Sequence, residues 1–78
     1  MNLARAAHHA GRSPDTIRRW CRQFGIARQS SPNAPLEVSV VGLEMVMHGD
    51  LAALHRLREG QREDPSVLRY LHHLGLAV

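Results

Sequence analysis

Three arginines lie close together in the segment SPDTIRRWCRQFGI, residues 13–26, at positions 18, 19 and 22. A guanidinium group can bind a phosphate, or the edge of a guanine base, through two parallel hydrogen bonds. The hydroxyl side chains near the start of the segment could donate further hydrogen bonds to phosphate oxygens. This combination favours recognition of a polyanion, and the alternative is the solvated face of an ordinary helix.

The segment begins with residues that start an α-helix. Ser13 is a good N-cap, Pro14 fits the first helical position and Asp15 favours the positive end of the helix dipole. Gly25 is suited to end the helix. The sequence therefore predicts a helix over residues 14–24, whose N-terminus presents amide donors to an anion.

This helix is predicted to be amphipathic. Its apolar residues recur at i, i+3, i+4 and i+7 and form one stripe toward the core, which consists of Ile17, Trp20, Cys21 and Phe24. At about 100° per residue, the opposite face is centred on Asp15, Arg19 and Arg22, with Arg18 and Gln23 at its flanks and Thr16 at its edge. We expect Cys21 to be a small buried hydrophobe and Trp20 to pack in the core, the alternative for Trp20 being base stacking.

A first helix and a very short turn precede the basic helix. Asn2 can cap a helix that runs to about Ala10, and Gly11 can end it. Only Gly11 and Arg12 then separate this helix from Ser13. Two helices joined by a short turn containing glycine form the helix-turn-helix arrangement, in which the second helix can enter the major groove of duplex DNA.

A small hairpin is predicted directly after the basic helix, over residues 26–38. Two short β-capable pieces, Ile26–Gln29 and Leu36–Val38, flank a loop rich in Ser, Pro and Asn. Such a hairpin could lie along the neighbouring DNA backbone or minor groove as a wing. Arg28, at its base, would then be the natural phosphate contact.

Three further helices are predicted after the hairpin. They cover about residues 40–48, 51–59 and 65–74, with the N-caps Ser39, Asp50 and Asp64. The residues expected to face inward are Leu43, Val46 and Met47, then Leu51, Leu54 and Leu57, and finally Leu68, Leu71 and Leu74 with Tyr70 beside them. Leu76 is placed for a hydrophobic contact after the last helix. The predicted fold is mainly α with a small β-hairpin: a head over residues 1–49 and a helical extension over 50–78 that packs on it as one structural unit.

The positive charge is concentrated in the first third of the chain. Residues 1–29 carry six arginines and one acidic residue, a net charge of +5, whereas residues 30–78 carry four arginines and six acidic residues, a net charge of −2. Such asymmetry suggests a polyanionic partner for the basic part. Nucleic acid and an anionic membrane surface both have this property.

Several function classes receive no support from the sequence. A single cysteine, Cys21, cannot form an internal disulfide or a zinc cluster, and adjacent histidines on a helix point about 100° apart, so no metal or other cofactor is expected. No nucleophile and base recur together and no Gly-rich phosphate loop is present, so we expect no enzyme. No apolar run approaches a membrane span, and the cytoplasm is the expected location.

The chain resembles the winged helix-turn-helix DNA-binding domains of the excisionase and MerR type over roughly residues 2–48. The positions that match their pattern are Ala6, Ala7, Gly11, Ser13, Thr16, Ile17, Arg19, Gly25 and Ser39. A similar module opens the small subunit of some phage terminases. The chain departs from the pattern in three ways. Relatives usually have a buried valine at the position of Arg12, and they often carry arginine at the position of Glu37. The initial β-like residues of many relatives are also missing.

The resemblance implies a domain that binds specific sequences in duplex DNA, in a phage, mobile-element or transcriptional regulatory protein, without a small-molecule substrate. The residues predicted to contact DNA are Arg12, Ser13, Thr16, Arg18, Arg19, Arg22, Gln23 and Arg28. The last helix could also form a homodimer interface, since symmetric operators often bring two such domains together. The rival interpretation is a helical protein-interaction module whose basic face binds an acidic protein.

Overall fold

A computed structural model of the chain describes residues 1–76. It contains five helices and a two-stranded hairpin, in the order α1 (Leu3–Ala10), α2 (Pro14–Phe24), β1 (Ala27–Arg28), β2 (Glu37–Val38), α3 (Val40–Met47), α4 (Leu51–Arg58) and α5 (Pro65–His73). The prediction of a mainly α fold with a small β-hairpin is confirmed. Residues 77 and 78, the end of the predicted 50–78 extension, lie outside the described residues.

Every helix begins at the predicted capping residue. The side chains that accept a hydrogen bond from a backbone N–H of the first turn are Asn2, Ser13, Ser39, Asp50 and Asp64. Helices of 8 to 11 residues are marginal in isolation. These caps therefore set where each helix starts, and packing against the other helices must supply most of the stability.

The turn between α1 and α2 is short because a glycine closes α1. Gly11 has φ +65°, a left-handed conformation that favours glycine, and the Arg12 amide donates to the Ala7 carbonyl at 3.0 Å. Ser13 then caps α2. The two helices pack against each other, and the buried residues of α1 are Ala6 and Ala7, whose small side chains allow neighbouring elements to approach closely.

The hairpin is shorter than predicted. Its strands have two residues each and pair antiparallel, with Ala27 opposite Val38 and Arg28 opposite Glu37. Residues 1 and 2 form no strand, but Met1 and Val38 exchange two backbone hydrogen bonds of 2.7 and 2.8 Å. Met1 thus extends the pairing on the outer side of β2.

The hydrophobic core runs through both the head and the extension. Its largest fully buried side chains are Ile17, Val38, Leu43, Met45, Val67 and Leu71. Helix α3 lies at the centre, in contact with α1, α4 and α5. Gly42 allows α3 to approach the hairpin, because a Cβ atom at this position would lie 2.9 Å from Cγ2 of the buried Ile26.

The prediction for the inward face of α3 was partly wrong. Leu43 is fully buried, but Val46 is half-buried and Met47 is 36% exposed, while Met45 is fully buried. The reason is that three helices surround α3, so all five residues from 41 to 45 are buried and a single apolar stripe does not describe the helix. The rule for amphipathic surface helices does not apply to a central helix.

Two leucines of the extension were also assigned wrongly. Leu51 is 52% exposed because the buried side of α4 is centred on Ala53, Leu54 and Leu57, and Leu51 points more than a quarter turn away from it. Leu76, which was expected to make a hydrophobic contact, is 38% exposed, and its amide donates to the Leu71 carbonyl at 2.9 Å. In α5 the buried residues are Val67, Tyr70 and Leu71, whereas Leu68 and Leu74 are half-buried.

A buried carboxylate joins α1 to α3. Glu44 is 7% exposed, its Oε1 atom lies 2.6 Å from Nε2 of His9, and its Oε2 atom lies 3.6 Å from Nε2 of His48. Burial of a carboxylate is costly unless a hydrogen-bond donor satisfies it. His9 lies at hydrogen-bond distance and His48 slightly beyond it, which gives both histidines a structural role that sequence spacing did not indicate.

Tyr70 supplies a measurable pH dependence. Its hydroxyl donates to Oδ2 of Asp50 at 3.0 Å, and burial, followed by this bond and the Asp50 charge, raises the pKa of Tyr70 above its ordinary value. The folded state therefore favours the neutral phenol. The contribution of Tyr70 to the free energy of unfolding is fully present below about pH 10. It should be lost as the pH rises through the raised pKa.

This titration can be followed directly because Tyr70 is the only tyrosine. We expect phenolate absorbance of the folded chain to appear at higher pH than in the urea-unfolded chain. The variant Tyr70→Phe should be less stable at neutral pH by about 1 kcal/mol and should lose this part of the alkaline dependence. Coinciding titrations of the folded and unfolded chains would contradict the contact.

Candidate nucleic-acid interface

Helix α2 turns its apolar stripe inward and its arginines outward, as predicted. Ile17 is fully buried, whereas the other three stripe residues, Trp20, Cys21 and Phe24, are half-buried and packed against the core. Trp20 thus packs against the core, although its side chain is less buried than expected. The exposed side chains of the opposite face are Asp15, Arg18, Arg19, Arg22 and Gln23.

The N-terminus of α2 carries two hydroxyl groups in mutual contact. Oγ of Ser13 accepts the Thr16 amide at 3.2 Å and lies 3.1 Å from Oγ1 of Thr16. Each hydroxyl has one proton, and only one of the two protons is used between them. The pair can therefore cap the helix and still donate one hydrogen bond to an anion.

The candidate arginines differ in how far their charge is already compensated. Arg18 forms an exposed ion pair with Asp15, with 3.2 Å between Nη1 and Oδ1. Within residues 1–76, Arg12, Arg19 and Arg22 have no carboxylate within 4 Å. The turn and the centre of the outward face of α2 therefore hold charges that are available to a polyanion.

The hairpin carries both signs of charge. Arg28 is exposed and stands opposite Glu37 in the antiparallel register, so both side chains lie on the same face of the hairpin. The Glu37 side chain is 68% exposed, but its Oε1 atom is 2.9 Å from the nitrogen of Met1. This contact offsets part of the repulsion that Glu37 would exert on a phosphate.

Cys21 offers no reactive thiolate. Burial raises the pKa of the Cys21 thiol, and the neighbouring Arg22 charge opposes this effect only in part. The thiol is therefore neutral at physiological pH and behaves as a small hydrophobe. Across residues 1–76, no group of three or more His, Cys, Asp or Glu side chains is arranged to hold a metal ion.

Sequence reasoning missed one arginine near this surface. The guanidinium of Arg58, at the end of α4, lies beside Gly25, and its Cζ and Nη2 atoms would be 3.5 Å from a Cβ atom at that position. Arg58 also lines a cavity of about 300 Å³ together with Arg28. No local pattern could reveal this, because the juxtaposition depends on how α4 packs onto the head.

The fold and this surface define a small, mainly α domain with a capped basic helix followed by a short hairpin. A search of protein-family models, of curated proteins and of solved structures finds no match to the chain. Among the described residues, no helix has the length and apolar character needed to cross a membrane.

Proposed function

We propose that the chain binds specific sequences in duplex DNA as a winged helix-turn-helix domain of the excisionase and MerR type, within a phage, mobile-element or transcriptional regulatory protein. The observation that carries the proposal is the outward face of α2. There Arg19 and Arg22 are exposed and, within residues 1–76, have no acidic partner. In this proposal α2 enters the major groove and the hairpin over residues 26–38 is the wing.

The dimensions of α2 suit a major groove. Its 11 residues span about 16 Å, and an α-helix with its side chains fits a groove about 12 Å wide. Arg19 and Arg22 are about one turn apart, so both can reach base edges or the flanking phosphates. The free hydroxyl proton of the Ser13 and Thr16 pair would meet a phosphate at the helix N-terminus.

The distribution of charge supports the same proposal. Residues 1–29 carry the net charge of +5, and they include both the helix-turn-helix and the start of the wing. Arg12, in the turn, would contact the phosphate backbone next to the N-terminus of α2. Gln23, at the flank of α2, would be a base-edge contact because an amide can pair with adenine.

The test is the salt dependence of binding to a labelled random-sequence duplex, followed by fluorescence anisotropy. The variant Arg19→Ala/Arg22→Ala should bind more weakly and reduce the slope of log K against log salt by about 2, since two phosphate contacts are lost. The matched control Arg62→Ala/Arg69→Ala removes the same charge from exposed positions outside α2 and should leave the slope nearly unchanged.

Two results would contradict the proposal. One is equal slopes for the wild-type chain and the Arg19→Ala/Arg22→Ala variant, which would make the arginines a solvated face. The other is the absence of duplex binding even at low salt. Retention of an acidic protein partner in that case would favour the protein-interaction module instead.

A further inference from the structure

We propose that Arg28 and Arg58 form an oxyanion site for one phosphate, built jointly by the wing and by α4. This inference rests on the proposed DNA-binding function for the source of the phosphate, which would be the duplex backbone. It gives the helical extension a part in binding, whereas the sequence pointed only to the head.

The site is a cavity of about 300 Å³ at the base of the hairpin. Its walls come from both strands, from the start of α3 and from the end of α4. Gly25 ends α2 with φ +65°, and the Arg58 guanidinium lies beside it, 3.5 Å from where a Cβ atom would be. The site therefore lies where the C-terminal end of α2, the wing and the extension meet.

The charges around the cavity favour an anion. Among residues 1–76, neither Arg28 nor Arg58 has a carboxylate within 4 Å. Glu37 is the single acidic residue of the lining, and its Oε1 atom is held 2.9 Å from the nitrogen of Met1. The lining thus contains two arginines and one carboxylate that already has a cationic neighbour.

The remaining lining strengthens the attraction. Ile26, Leu54 and Leu57 form an apolar floor, which lowers the local dielectric constant and so increases the force between an arginine and a phosphate. Oγ of Ser39 accepts the Gly42 amide at 3.0 Å, which leaves its hydroxyl proton to donate. Guanidinium groups with a neighbouring hydroxyl donor are a suitable set for a tetrahedral oxyanion.

The position of the site also fits the proposed docking of α2. Arg22 lies in the last turn of α2, Arg58 lies next to Gly25 at its end, and Arg28 belongs to the wing that follows. In chain order these arginines follow the outward face of α2, its C-terminal end and the hairpin. A backbone phosphate between the groove and the wing would meet Arg28 and Arg58 together.

The first experiment compares the salt dependence of duplex binding by the wild-type chain and by Arg58→Ala, with Arg62→Ala as a control of equal charge. We expect Arg58→Ala to reduce the slope by about 1, so that the wild-type chain loses about three to four times more affinity than the variant between about 50 and 200 mM salt. Arg62→Ala should match the wild type. A slope unchanged in Arg58→Ala would overturn the inference.

The second experiment needs neither DNA nor a variant. Inorganic sulfate is titrated into the wild-type chain while the arginine Nε–Hε signals are followed by NMR, with chloride at equal ionic strength as the reference. Saturable shifts of Arg28 and Arg58 in sulfate alone support the site, and their absence overturns it even if Arg58→Ala proves too unstable to assay.

Together the two experiments separate this inference from the proposed function. If the duplex does not bind but sulfate saturates at Arg28 and Arg58, the DNA-binding proposal fails. The oxyanion site is then supported, with a free phosphate as its ligand. If binding depends on Arg19 and Arg22 but Arg58→Ala and sulfate both have no effect, the inference alone fails. In that case Arg58 only stabilises α2, because its positive charge lies near the negative end of the helix dipole.

Discussion

Replacing Ile17 with alanine is expected to lower the free energy of unfolding by about 2 to 5 kcal/mol. Ile17 is fully buried and is the residue that fixes the inner side of α2 to the core. A chain of 78 residues has a total stability of only about 4 to 12 kcal/mol. The substitution should therefore leave a substantial unfolded fraction or a much lower melting temperature.

The measurement is urea unfolding followed by circular dichroism, with Arg19→Ala as the matched control in the same helix. Arg19 is exposed, so its replacement should change stability by less than about 0.5 kcal/mol while it weakens duplex binding. Ile17→Ala should lose stability first and binding only as a consequence. Loss of stability in Arg19→Ala would show that the two faces of α2 are assigned wrongly.

The beginnings of all five helices could be predicted because capping is local. A Ser, Asp or Asn side chain bonds to amides two or three residues ahead of it, so the signal lies within a few residues of sequence. The outward face of α2 could also be predicted, because the signal again lies in the local sequence. That helix packs mainly against α1, which leaves the opposite face to solvent and keeps the simple 3.6-residue pattern intact.

Features that depend on how helices meet could not be predicted in this way. The burial of Met45 and the exposure of Met47 follow from the central position of α3, and the contact between His9 and Glu44 joins residues of different helices. Arg58 reaches Gly25 only because α4 folds back onto the head. Each case requires the packing arrangement, which local periodicity does not contain.

The replacement of Trp20 with alanine has the second large expected effect. Replacing a fully buried tryptophan with alanine lowers the free energy of unfolding by about 3 to 5 kcal/mol. Because Trp20 is half-buried, we expect a loss of about 3 kcal/mol. The indole packs against the core on one side of α2, next to the fully buried Ile17. Its removal takes away dispersion contacts and exposes the apolar residues beneath it.

Thermal unfolding of Trp20→Ala and Trp20→Phe distinguishes packing from base stacking. If Trp20 is a core residue, phenylalanine should recover much of the stability that alanine loses, and both folded variants should bind duplex DNA with the wild-type salt slope. Unchanged stability in Trp20→Ala, together with weaker binding, would instead assign the ring to the interface as a stacking surface. The wild-type fluorescence of this single tryptophan provides an independent check, because a base stacked on the indole would quench it whereas packing in the core would leave it largely unaffected by DNA.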